Sequence, residues 1–248
     1  MPRRVTAGDV SVITFDGDET LWDFQGAMRR ALALAAELFA AEGVTLEGRP
    51  VTAVWLAQVR DVVAGRPEFA NALMEDIRRV AFEECAQRTG AGAGFAGRVH
   101  AEYMRARHAG VTLYPDALPC LRELKAMGHR LALITNGNSR PELLGLTGLL
   151  ACTVVAAECG YRKPDPQIYR HAATRLGVRP RECVHVGDHL VEDVTASAEA
   201  GMRAVWLDRG GASAGPRPAR AWHVVTGLLA VPALLRATPE LDMPTQVG

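Results

Sequence analysis

The chain has 248 residues, 48% of them hydrophobic, which is enough to bury a core as one large domain or as a domain carrying a smaller insert. Its 28 basic and 28 acidic residues cancel to a formal charge of zero, so it lacks the global basic field that recruits nucleic acid or an anionic membrane, and neither is an expected partner. Five cysteines without CxxC or metal-type spacing, an N-terminus (MPRRVTAGDV) without the apolar stretch of a secretory signal, and no run near the ~20 apolar residues of a spanning helix predict a reduced, cytoplasmic protein.

The first element is the apolar, β-branched run VSVITF at 10–15, which stops abruptly at Asp16 and reads as a buried strand of a parallel sheet. From 22 to about 41 the period changes. Met28, Ala31, Leu32, Ala35, Leu38 and Phe39 recur at helical spacing, and Gly43 follows as a stop. Residues 44–109 continue as helical pieces broken at 48–50, 65–67 and the glycine-rich 89–97, with no strand predicted among them.

After 110 a βα rhythm takes over. It predicts a helix over 117–127, a strand over 130–134, a strand near 153–156 and a helix over 166–176. A strand CVHV at 183–186, a helix over 191–200 and a strand over 203–207 follow. Beyond Asp208 a Gly, Ser and Pro-rich loop leads to WHVVTGLLAVPALL, which supplies a last short strand and helix. The expected fold class is α/β, a doubly wound parallel sheet of Rossmann-like type with an inserted all-helical cap domain. The expected division is 1–21 plus 110–248 for the catalytic core and 22–109 for the cap. No internal repeat is present.

Ligands of open α/β sheets bind beyond the carboxyl ends of the strands, so the residues that follow each predicted strand matter most. The first strand delivers Asp16-Gly17-Asp18-Glu19-Thr20, and the second delivers Thr135-Asn136-Gly137. The strand at 183–186 delivers Gly187-Asp188, with Asp193 five residues on, and Lys163, one of only two lysines, follows the strand near 153–156. Asp16 or Asp188 alone would read as a helix N-cap and Lys163 alone as a surface residue. Together they provide a carboxylate nucleophile, a second carboxyl for proton transfer, hydroxyl and amide donors, a lysine and acids for a hard cation, which is the set phosphoryl transfer requires. Crowding of Asp16 and Asp18 lets their proton affinities diverge. Glu19 reads as a solvated or capping acid. The histidines lack ligand spacing and read as surface or structural groups, with His185 inside a strand and His189 beside Asp188.

FDGDETL, ITNG, KPDP and GDHLVED, in this order, resemble the motifs of the haloacid dehalogenase superfamily, and in particular its phosphatases with a helical cap after the first strand. The resemblance implies that Asp16 attacks phosphorus, and that Asp18 protonates the leaving oxygen and then activates water. It implies Mg2+ held by the Asp16 carboxylate, the Asp18 carbonyl and the Asp188 carboxylate, and phosphate gripped by Thr135, the amide of Asn136 and Lys163. Asp193 would support the metal waters or orient the lysine, and Glu192 beside it could share that role. The cap would close over the strand ends and choose the substrate, a small phosphorylated metabolite. A phosphomutase shares the intermediate; a 2-haloacid dehalogenase typically lacks the acid at Asp18; a phospho-accepting receiver needs no large cap. A phosphonate hydrolase needs a cap lysine, and 22–109 has none. Substrate identity, cap specificity residues and oligomeric state are not encoded legibly.

Overall fold

The computed structural model describes residues 10–69, 72, 74–137, 141–211 and 217–237. The arginine-bearing start at 1–9, residues 212–216 of the loop after Asp208 and the polar end from 238 lie outside the described residues.

Two compact units divide the chain, one built from the stretch up to Asp23 and from Thr112 onward, the other from Phe24–Val111. The first is a six-stranded sheet with strand order β5-β4-β1-β6-β7-β8, all pairs parallel. Its strands are β1 (Val12–Phe15), β4 (Arg130–Thr135), β5 (Leu150–Val155), β6 (Cys183–Gly187), β7 (Arg203–Leu207) and β8 (His223–Val225). β1 is buried along its whole length because it pairs on both edges and is covered on both faces, which is why it reads as an uninterrupted apolar run. Connections lead outward from β1 to β4 and β5 on one side and from β6 to β7 and β8 on the other. The order therefore reverses between β1 and β6, the topological switch point at which such sheets bind ligands. The register aligns Phe15 with Leu133 and Val186, so the carboxyl ends of the three central strands finish close together.

Helices α5 (Ala117–Ala126), α7 (Gln167–Arg175) and α9 (Ala230–Ala237), with the short α6 (Ala156–Cys159) and α8 (Ala196–Glu199), complete this unit. One face of the sheet is closed by Ile168, Tyr169, Ala172 and Ala173 of α7 against Val12, Ala132, Ile134 and Val154. Where one helix is expected over 191–200, a π-helical segment Leu190–Thr195 precedes α8. The His189 carbonyl accepts from both Asp193 N (2.8 Å) and Val194 N (3.3 Å), and the widened turn faces Asp193 inward.

The second unit holds α1 (Phe24–Ala41), α2 (Ala53–Ala64), α3 (Met74–Thr89) and α4 (Ala93–Ala109) around Ala35, Phe39, Val59, Phe82, Val99 and Tyr103. The expectation of a purely helical insert needs one correction. β2 (Thr45–Leu46) and β3 (Arg49–Pro50) form a two-residue antiparallel ladder. Glu47 and Gly48, at φ 51° and 76°, make its tight left-handed turn. An element this short leaves no alternation for a sequence pattern to detect.

Candidate active site

Asp16 begins the loop that leaves β1, with 6% exposure, and its backbone N–H still donates to Val186 O at 2.9 Å. The loop then folds back on itself, because the N–H groups of Thr20, Leu21 and Trp22 all donate to the Gly17 carbonyl at 2.8–3.3 Å. Trp22, fully buried, donates its indole N–H to Asp18 Oδ1 at 2.6 Å and so fixes that carboxyl. Asp18 Oδ2 faces the second strand end: a Cβ built on Gly137 would lie 2.9 Å from it and 3.3 Å from Thr135 Oγ1. Glycine is thus what lets Asp18 approach the ITNG turn. Glu19, read as solvated or capping, is half-buried. It adopts a left-handed backbone (φ 62°) and accepts the Tyr114 hydroxyl at 3.0 Å.

Lys163 is 2% exposed and donates both to Asp16 Oδ1 and, at 2.7 Å, to Asp193 Oδ1. Burial works against its charge, yet the two carboxylates outweigh it and hold its pKa above the ordinary value. One cation shared by two acids leaves them unequal. Burial raises Asp16 well above its usual range, with further repulsion from Asp193 and Asp18. Asp193 pays the same desolvation, but Lys163 and His185 hold it below 3.8.

Asp193 is supported on every side. His185 Nε2 lies 3.3 Å from its Oδ1, the His189 N–H donates to its Oδ2 at 3.0 Å, and a Cβ on Gly187 would sit 2.3 Å from its Cγ. Burial keeps His185 neutral at ordinary pH by lowering its pKa. Asp193 can only accept, so the neutral ring points its Nε2–H at that carboxylate and leaves Nδ1, 2.8 Å from Thr14 Oγ1, as an acceptor.

Asn136 clamps the lysine's main chain. Its Oδ1 accepts Lys163 N at 2.8 Å, and its Nδ2 donates to Lys163 O and to Glu192 Oε2, each at 3.0 Å. Glu192 therefore serves Asn136, while Asp193 serves Lys163. Thr135, 1% exposed, accepts the Gly137 N–H at 2.9 Å, and Thr20 Oγ1 donates to Asp188 Oδ1 at 3.2 Å.

Oxygen atoms of Asp16, Asp188 and Asp193 lie within 4.8 Å of one another. Three acids facing one lysine leave a surplus of negative charge, and burial plus Asp193 push the Asp188 pKa up to about 6. Hard oxygen donors with excess charge could hold a hard divalent cation. Asp193 is already engaged by Lys163, His185 and the His189 N–H, and Asp16 by Lys163.

The family model for haloacid dehalogenase-like hydrolases matches residues 10–201. This chain belongs to that family. N-acylneuraminate-9-phosphatase of Rattus norvegicus is 30% identical over 240 residues, covering 92% of this chain and 94% of the relative. Phosphoserine phosphatase of Thermus thermophilus is 34% identical over 163 residues, and the match spans 64% of each chain. Among solved structures, a 2-haloacid dehalogenase from Pseudomonas syringae pv. Tomato DC3000 superposes with a TM-score of 0.71 at 29% identity, covering 92% of this chain and 99% of that one.

Some of this hydrolase's site residues carry no sequence signal as such. Tyr169, read only as helix, donates its hydroxyl to Glu192 O at 2.6 Å and stands edge-on to His185 at 4.8 Å. Arg209 donates to Glu19 O (3.3 Å) and Thr20 O (2.7 Å), forks onto Asp116 at 3.0 and 3.1 Å, and covers the Tyr114 ring at 3.8 Å. It braces the loop that presents Asp16 and Asp18. The histidine in the otherwise apolar CVHV run, read from sequence as surface or structural, belongs to this supporting layer.

Proposed function

We propose that this hydrolase is a Mg2+-dependent phosphatase of small phosphate monoesters that works in the cytoplasm through an aspartyl-phosphate on Asp16. The observation that carries the reading is Asp18, held by Trp22 and turned toward Thr135. A second carboxyl beside the nucleophile is what a phosphate ester's leaving oxygen requires. The phosphatase names of two relatives support the same choice over dehalogenation.

In the first step an Asp16 oxygen forms a bond to phosphorus while the ester P–O bond breaks. Asp18, protonated, gives its proton to the departing oxygen, so an alcohol leaves. Asp18, now a carboxylate, takes a proton from water, and the hydroxide attacks the same phosphorus. Phosphate departs and the Asp16 carboxylate is restored. Lys163 and Thr135, with the Asn136 amide, hold the charged oxygens of the transferring group, and Asp193 keeps Lys163 in place. Bound Mg2+, against the Asp16 and Asp188 carboxylates and the Asp18 carbonyl, would neutralise charge on those oxygens.

The test is phosphate release from a panel of phosphomonoesters with Mg2+, comparing wild type with Asp16→Asn and Asp18→Asn. Wild-type turnover that falls at least ~10³-fold in Asp16→Asn is expected. Turnover retained by Asp16→Asn, or halide release from 2-haloacids in place of phosphate release, would sink the assignment.

A further inference from the structure

An indole N–H is a donor only, and a buried one needs an acceptor. For packing alone, any nearby main-chain carbonyl would serve. The fully buried Trp22 instead gives its N–H to a carboxyl, Asp18 Oδ1 at 2.6 Å. Its ring is held in that place from below. A Cβ on Gly17 would overlap the indole, 2.6 Å from Cη2, so the ring rests on bare backbone between Asp16 and Asp18. The main chain of Trp22 is pinned as well. Its N–H donates to Gly17 O at 3.2 Å, its carbonyl accepts Glu19 N at 2.9 Å, and an antiparallel bridge joins it to Leu113. Asp23 N to Thr112 O and Tyr114 N to Leu21 O, each 3.0 Å, flank that bridge.

The consequence lies in how the two Asp18 oxygens differ. A neutral carboxyl has one carbonyl oxygen, which accepts hydrogen bonds, and one hydroxyl, which donates. The N–H at Oδ1 selects that atom as the carbonyl and leaves the proton to Oδ2, the oxygen that faces Gly137 and Thr135. Resting on the phosphatase reading above, we propose that Trp22 is a positioning residue for proton transfer, which makes Oδ2 the Asp18 oxygen that serves the leaving group. As the ester P–O bond breaks, the Oδ2–H bond breaks with its electron pair staying on Oδ2. The proton then forms the new O–H bond of the departing alcohol. Without the indole N–H, the carboxyl can turn or carry its proton on Oδ1, on the side away from the strand ends. Trp22 acts only through Asp18.

The experiment measures kcat/KM with Mg2+ for p-nitrophenyl phosphate and phenyl phosphate, in wild type, Trp22→Phe and Gly17→Ala. The two substrates have similar shapes, but nitrophenolate leaves readily without a proton and phenolate much less so. Because kcat/KM covers only the steps up to departure of the leaving group, slow hydrolysis of the aspartyl-phosphate does not enter. Trp22→Phe keeps an aromatic ring and deletes the donor; it is expected to lose ~10-fold or more on phenyl phosphate and less than ~3-fold on p-nitrophenyl phosphate. Gly17→Ala, which pushes the ring off Asp18, is expected to show the same imbalance. The ratio between two substrates on one preparation does not depend on how much of it is folded, so a destabilised variant still decides. An equal loss on both substrates in Trp22→Phe, or in Gly17→Ala should Trp22→Phe not fold, would overturn the inference and leave the phosphatase reading intact. No phosphate release by wild type from any phosphomonoester would overturn both.

Discussion

Lys163 serves two carboxylates, and the side chain that decides how it is shared sits one layer further in. His185 donates to Asp193, Asp193 accepts Lys163, and Lys163 reaches Asp16, with Thr14 Oγ1 against the histidine's other ring nitrogen. His185 touches no reacting atom, so it acts as a positioning residue. His185→Ala should lower kcat by ~10–100-fold with little change in KM, and His185→Gln, whose amide can still donate toward Asp193, should recover much of the loss. A merely structural histidine would change kcat and KM together with stability and show no such rescue. At Gly187 the constraint is steric. A methyl group there would occupy the space of the Asp193 carboxyl, so Gly187→Ala is expected to cost ~1–3 kcal/mol in denaturant unfolding and to lose most activity, because Asp193 must move.

The elements are tied together by charges far apart in sequence. Asp116, at the start of α5, accepts two bonds from Arg209 after β7 and the Leu228 N–H (2.8 Å) ahead of α9. Burial alone would raise the Asp116 pKa, but the Arg209 bonds and the Leu228 N–H hold it below 3.8. A carboxylate with a depressed folded pKa stabilises the native state fully above its unfolded pKa and loses that contribution as pH falls through the folded value. Asp116→Asn should therefore cost ~1–3 kcal/mol at neutral pH, and the gap from wild type should close as pH drops below about 3.8, read by urea unfolding at each pH. A gap that stays constant with pH would mean that the carboxylate's charge is not what stabilises. Arg209→Ala should in addition slow turnover, since it frees the Glu19 and Thr20 carbonyls of the loop that carries Asp16 and Asp18. None of this bracing is written in local sequence. Arg209 sits in a Gly, Ser and Pro-rich stretch that reads as linker, and its partners lie about 90 and 190 residues away.

For the whole molecule, the sheet was legible because parallel strands are buried on both faces and so appear as short β-branched runs, each ending at a polar residue. VSVITF before Asp16 and CVHV before Gly187-Asp188 are the plainest cases. The strand-end residues could be picked out for the same reason, since this fold sends ligands to those ends. The two-residue ladder at 45–50 and the π-helical turn at Leu190–Thr195 were not legible. Each depends on backbone detail or on which side chains meet, and neither leaves a period in the sequence. The surplus of acids over Lys163 bears on the whole protein's chemistry. Removal of divalent ions with a chelator should abolish turnover and added Mg2+ should restore it, with full activity after chelation contradicting the assignment of Asp16 and Asp188.

The central claim is that water attacks phosphorus in an ester formed on Asp16, and it can be read atom by atom. A single turnover, with enzyme in excess over a phosphomonoester in water labelled with heavy oxygen, should place the label in the released phosphate and none in the Asp16 peptide by mass spectrometry. Label in the Asp16 carboxylate would mean that water attacks the carboxyl carbon, as hydrolysis of an alkyl ester requires, and would contradict the phosphatase mechanism.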